Sequence, residues 1–133
     1  MTVDTSALIA ILFDEPEKSA FATAIDTSAD PKISAVTRAE AMLVYLGRRR
    51  NKPTDIHDLI DILGLKTIDV DRAQSDRALD AFIRFGKGRH PARLNLGDCF
   101  AYGLAATLSE PLISSRLISC QLGAHNQPGQ GNA

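Results

Sequence analysis

Apolar positions along the chain alternate between short extended runs and helical stripes. Met1 to Asp4 is a short apolar start that ends in an acid. Thr5 to Phe13 sets Leu8, Ile9, Leu12 and Phe13 on one helical stripe. Asp14-Glu15-Pro16 breaks it, with Pro16 suited to open a second helix that runs to about Ser28. Asp30-Pro31 is a turn and Lys32-Ile33-Ser34 a short strand. Thr37 with Glu40 three residues on has the spacing of a capping box, which predicts a helix through Ala41, Met42, Val44 and Tyr45 to Arg48-Arg49-Arg50. After the loop Asn51-Lys52-Pro53, Thr54 opens a helix carrying Ile56, Leu59, Ile60 and Leu63, stopped by Gly64. Leu65 to Val70 alternates as a strand does, and Asp71 starts a helix to about Phe85. Gly86 to Pro91 is a basic loop, Asn95 or Gly97 opens a helix through Phe100, Tyr102 and Leu104, and Pro111-Leu112-Ile113 begins a last strand.

Strands alternating with helices predict an α/β fold, a parallel sheet covered on both faces, with its site at the carboxyl ends of the strands. The 133 residues make one domain, and 44% hydrophobic with 23% charged residues is ordinary for a globular protein. A net charge of −1 excludes a polycation that coats nucleic acid, so any such contact needs a local patch. No apolar run reaches membrane-spanning length. Met1-Thr2-Val3-Asp4 lacks the basic and apolar regions of a secretory signal. Cys99 and Cys120 form no close pair and read as reduced thiols, which predicts a cytoplasmic protein without zinc.

Three acids stand where catalysis in such a sheet would need them: Asp4 after the first strand, Glu40 in the helix after the second, Asp98 at the start of the helix before the last. Gathered at one edge, they would repel one another unless a hard cation such as Mg²⁺ or Mn²⁺ joined them. Each also has a purely structural use, Asp4 and Glu40 in helix caps and Asp98 as a charge favoured at a helix start.

Val-Asp-Thr-Ser-Ala-Leu at 3–8, with Glu40 behind the second strand, resembles a PIN domain. Phe-Gly-Lys-Gly-Arg-His-Pro-Ala-Arg-Leu-Asn-Leu-Gly-Asp-Cys-Phe-Ala-Tyr-Gly at 85–103 is similar to the VapC branch, the ribonuclease toxins of VapBC toxin–antitoxin pairs. The resemblance covers residues 1 to about 113. It implies a PIN-like three-layer α/β/α sandwich with a short central parallel sheet. It implies a metal-dependent endoribonuclease in which Asp4, Glu40 and Asp98 hold Mg²⁺, with Mn²⁺ as the alternative. Thr5 and Ser6 match the small hydroxyl positions that fix the first acid, and Asn95 a supporting position beside the site. The implied partners are a VapB-like antitoxin, an RNA substrate such as tRNA and a second copy in a homodimer.

The pattern fails after Ile113. The family continues Phe-Lys-Gly-x-Asp-Phe and places a fourth acid where this chain has Ile118. From Ser114 to Ala133 there is no Asp or Glu. One missing base near codon 114 would, with suitable synonymous codons, restore Phe-Lys-Ser-Thr-Asp-Phe over 114–119. A divergent native end or a cloning-derived end explains the same residues. The expected organisation is therefore a PIN domain over 1–113 and an atypical, frameshifted or disordered tail over 114–133. The lost acid also leaves a second functional expectation, a catalytically weakened PIN domain kept as an antitoxin-binding module.

Two basic stretches are candidates for RNA phosphate: Arg48-Arg49-Arg50 with Lys52, otherwise a solvated helix end, and Lys87, Arg89, His90 and Arg93 near Asp98. Phe82 and Phe85 are expected in the core, and Cys99 as packing rather than as a nucleophile. The apolar helices at 8–13 and 21–25 are read as core, with an antitoxin-binding groove as the alternative.

Overall fold

The computed structural model describes residues 1–49 and 54–115. Its elements run β1 (Thr2–Val3), α1 (Thr5–Leu12), α2 (Lys18–Asp26), β2 (Lys32–Ser34), α3 (Ala35–Arg49), α4 (Thr54–Ile62), β3 (Lys66–Ile68), α5 (Arg72–Phe85), α6 (Leu96–Leu108) and β4 (Leu112–Ile113). The strands form one parallel sheet in the order β3-β2-β1-β4. Strand order reverses between β1 and β4, where such sheets open a crevice at their carboxyl ends.

The ladder is short but continuous. Lys32 N–H donates to the Met1 carbonyl at 2.8 Å, Thr2 N–H to Pro111 at 2.9 Å and Asp4 N–H to Ile113 at 2.9 Å. The last bond clamps the backbone of Asp4 against the end of β4. Leu112-Ile113, weak as a strand by sequence, is placed by this pairing with β1.

Two apolar clusters cover the sheet, which gives the three layers. One joins Val3 and Ile33 of the strands to Leu8, Ile25, Tyr45, Ile56 and Ile60. The other packs Ala78 and Ala81 of α5 on Cys99 and Tyr102 of α6. A fully buried Leu or Ile contributes roughly 1.5–3 kcal/mol, so the first cluster carries most of the apolar stabilisation. Ala7 to Ile11 of α1 are all buried, so this stretch of the helix is spent on the core as expected.

Several boundaries differ from expectation. α3 begins directly after β2 at Ala35, and the Ser34 hydroxyl accepts from Val36 N–H at 3.2 Å. Ser34 therefore caps the helix in place of Thr37, because no loop separates strand from helix. Glu40 then lies in the second turn, not in a capping box. Asp71 is the cap of α5, accepting from Gln74 N–H at 2.9 Å, rather than its first residue. Phe85 packs on the α5–α6 cluster, but Phe82 is 38% exposed, because its position on α5 turns away from α6.

Candidate active site

Asp4 is anchored twice. Its backbone is held by β4, and its side chain caps α1, accepting from Ser6 N–H at 3.3 Å. The structural and functional readings of this residue are compatible because they use different oxygens. Oδ2 takes the cap, the Ser6 hydroxyl at 2.8 Å and the Ser114 hydroxyl at 3.1 Å. Oδ1 is buried with no hydrogen-bond partner. Asp4 itself is completely buried. Leaving a carboxylate oxygen unsatisfied in the interior is unfavourable, and such an atom marks a place where a cation fits.

Asp98 caps a helix as well. Its Oδ2 accepts from Asn95 N–H at 2.9 Å, while the Asn95 side-chain oxygen accepts from Asp98 N–H at 2.9 Å. This reciprocal cap sets the start of α6, and it is how Asn95 supports the site. Asp98 is 2% exposed. Glu40 reaches the same place from α3: a Cβ at position 97 would overlap its carboxylate. Gly97 therefore lets the Glu40 carboxylate lie against the first turn of α6.

Asp4, Thr5, Ser6, Glu40, Asn95 and Asp98 line one cavity of about 250 Å³. All six expected residues of the acidic site are thus brought together, at the carboxyl ends of β1 and β2. Among the described residues, no group of three or more carboxylate, imidazole or thiol side chains is placed to hold a metal ion. Mg²⁺ does not require such a group: it keeps several waters and is held by one or two carboxylates. The donor chemistry, all oxygen, and the orphaned Asp4 Oδ1 fit such an ion. The expected acid position, Ile118, lies outside the described residues, as do Arg50, Lys52 and Cys120.

Thr5 supports the site through the backbone, its hydroxyl donating to the Thr37 carbonyl at 3.4 Å. Ser115 N–H donates to the Ser6 hydroxyl at 3.0 Å. Cys99, next to Asp98, is buried and free, and burial, aided by the Asp98 charge, pushes its thiol up to about 11. At neutral pH it is a thiol, so it serves packing and not attack.

Lys87, Arg89 and Arg93 do not join the acids. With His90 they line a separate, open cavity of about 450 Å³ on the loop between α5 and α6. The loop is closed at its base by Lys87 N–H to the Leu94 carbonyl at 3.0 Å, immediately before Asn95.

The sequence reading missed four participants. Gly97 carried a usable signal, since glycine in a helix's first turn is unfavourable without a close approach. Glu15, read as a helix breaker, lines the acid cavity beside Arg48, which the sequence offers as a phosphate contact. Ser114 and Ser115 were read only as a departure from the family pattern, and no local signal ties them to Asp4.

The PIN domain family matches residues 1–116. The chain is 37% identical over 116 residues to a VapC ribonuclease of Mycobacterium bovis, covering 85% of this chain and 87% of that protein. It is 38% identical over 114 residues to the ribonuclease VapC of Mycolicibacterium smegmatis, covering 85% and 88%. It is 36% identical over 115 residues to a VapC ribonuclease of Mycobacterium tuberculosis, again covering 85% and 88%.

Proposed function

Because the chain belongs to the PIN-domain family, in its VapC branch, we propose that it is the toxin of a toxin–antitoxin pair and cleaves RNA phosphodiesters in a divalent-metal-dependent reaction. The observation that carries this reading is the convergence of Asp4, Glu40 and Asp98 on one cavity, with Asp4 fully buried and its Oδ1 unpartnered. We assign the ion-holding role to these three acids, directly or through the waters such an ion keeps, and the all-oxygen donor set suits Mg²⁺ or Mn²⁺. When bound, such an ion stabilises charge on the phosphate and lowers the pKa of water.

The chain's own residues do the rest. Ser6 and Ser114 fix Asp4 through Oδ2, which leaves Oδ1 directed by its backbone clamp. Asn95 fixes Asp98 through the reciprocal cap. Gly97 admits Glu40. Lys87, Arg89 and Arg93 offer positive charge to the backbone of an RNA strand, which positions it without reading its bases. A structured RNA such as tRNA is the proposed substrate, the cytoplasm the proposed location and a VapB-like protein the proposed partner. A homodimer is favoured by the exposed apolar positions Leu79, Phe82 and Ile83, at helical spacing on α5. No helix among the described residues is long and apolar enough to cross a membrane. In this reading residues 1–113 form the catalytic domain and 114–133 an atypical extension, whose Ser114 and Ser115 reach back to Asp4 and Ser6. No observation favours the weakened binding module.

The test is cleavage of total tRNA by the purified chain with Mg²⁺ or Mn²⁺, with and without EDTA, beside Asp4→Asn and Asp98→Asn. Cleavage that needs the metal and disappears in both variants is expected. A folded protein that cleaves nothing, or cleaves equally in both variants, overturns the reading.

A further inference from the structure

We propose that Arg48 grips the RNA strand beside the acid cavity and that Glu15 holds it in reserve until a phosphate takes the carboxylate's place. The proposal rests on the ribonuclease reading and deepens it. Glu40, Val44 and Arg48 stand at successive i+4 positions on α3, and all three line the cavity. One helical stripe therefore leads from an acid of the site to a cation about 12 Å further along the axis, at 1.5 Å per residue. The helix is a rigid ruler between the two.

Charge requires such a residue. Four carboxylates line the cavity, those of Asp4, Glu15, Glu40 and Asp98, and among the described residues Arg48 is the one basic side chain that does. A metal ion among the acids serves the reacting phosphate. The neighbouring phosphate of the strand meets the remaining negative field unless a cation receives it. Lys87, Arg89 and Arg93 line the other cavity and leave this position to Arg48.

Arg48 is poised rather than spent. Its Nη1 lies 3.5 Å from Glu15 Oε1, and the two side chains are 53% and 37% exposed. That is a long, solvated ion pair, easily exchanged for the two-pronged contact that a phosphate offers a guanidinium. The guanidinium carbon also sits 5.2 Å from the centroid of the Phe13 ring, whose own neighbour is Tyr45 at 5.7 Å. Stacking uses the face of the guanidinium and leaves the N–H donors in its plane available, so the side chain is oriented before RNA arrives.

The test is binding of a short fluorescein-labelled single-stranded RNA of mixed sequence, by anisotropy over a salt series with Ca²⁺ in place of Mg²⁺. Loss of one phosphate contact makes the slope of log K against log salt shallower by about 0.7. Arg48→Gln is expected to show that change and a several-fold weaker affinity, uniform across sequences. Arg48→Lys should restore the slope, because it restores the charge. Glu15→Gln should bind more tightly than the parent. If Arg48 only props Phe13, Arg48→Gln lowers the melting temperature and leaves the salt slope unchanged, which overturns the proposal. Parent-like slopes in the Arg48→Gln and Glu15→Gln variants, with metal-dependent cleavage intact, overturn it alone. A parent protein that neither binds nor cleaves RNA overturns the ribonuclease reading as well.

Discussion

At the amino ends of β1, β2 and β4, Lys32 Nζ lies 2.5 Å from Glu110 Oε1 and 2.9 Å from Asp30 Oδ2. At the carboxyl ends of the same short strands, Asp4, Glu40 and Asp98 gather on one cavity and Asp4 Oδ1 has no partner. The first end compensates its charge. Hydrogen bonds to Glu110 and then Asp30 hold the Lys32 ammonium above its ordinary range, and Lys32 holds Asp30 below its own. Burial pushes Glu110 up, but the hydrogen bonds from Lys32 and the Met1 ammonium outweigh it and the net displacement is downward. The second end concentrates like charge, which an added cation would relieve. A sheet of two- and three-residue strands thus separates its tasks by strand end, stability at one and chemistry at the other. This division is the usual one, since functional sites are where proteins accept locally unfavourable arrangements.

The comparison breaks most visibly at Asp4. Asp4→Asn keeps the size and the cap acceptor but removes a negative charge from the acidic end. Activity on RNA should fall by at least about 10²–10³-fold, the size of losing one contact aimed at transition-state charge. The melting temperature should hold or rise, because repulsion among the acids is relieved. A calorimetric scan beside the cleavage assay checks both, and a large loss of stability would contradict the division of tasks.

Gly97→Ala is the next largest. Alanine is favoured over glycine in a helix by up to about 1 kcal/mol, so stability alone predicts a neutral or better protein. The added Cβ would overlap the Glu40 carboxylate, which must then move. Displacing a group that serves the metal should lower activity roughly 10–100-fold while the melting temperature stays near that of the parent. Parent-like activity would show that Glu40 does not need its place against α6.

Glu110→Gln addresses the other end and reverses the pattern. Losing the charge that holds Lys32 should lower stability by about 1 kcal/mol, the scale of one such hydrogen bond. For a domain of this size that is about 3–5 °C in melting temperature. Cleavage of RNA at a temperature where both proteins are folded should not change. A loss of activity without a loss of stability would show that the two ends are coupled.

The sequence reveals the elements more readily than their joins. Lys32–Ser34 is legible as a strand because Asp30-Pro31 precedes it and a helical pattern follows. Thr37 reads as the cap because Glu40 follows it at capping-box spacing, and sequence does not say that a helix starts at Ala35 without a loop. Asp4, Glu40 and Asp98 are individually ambiguous by spacing, and the structure shows why: Asp4 and Asp98 each cap a helix with one oxygen and face the cavity from the same residue. Their common membership in a site follows from their placement at one edge of the expected sheet, and the resemblance at 3–8 and 85–103 adds the chemistry. The pairing of Glu15 with Arg48 was invisible, since it joins the α1–α2 connection to the far end of α3 through tertiary packing alone. Ser114 was invisible for the same reason, being brought to Asp4 by the register of β4 on β1.

The smallest expected effect is the pH dependence of the compensated end. Glu110 and Asp30 are held below the ordinary carboxylate range, so each contributes stability above that range and loses it as pH falls through its lowered value. Lys32 is held above its ordinary 10.5, so its contribution is complete below that value and fades only as pH rises through the raised one. Between these limits the ion-paired end should give a flat profile. The difference in melting temperature between the parent and Glu110→Gln should therefore be constant near neutrality and shrink toward zero from about pH 5 to about pH 3, as protonation does to the parent what the substitution has already done. A difference that persists undiminished at the acid limit would mean that Glu110 acts through its shape and not its charge, and that the amino end is held by packing rather than by compensated ions.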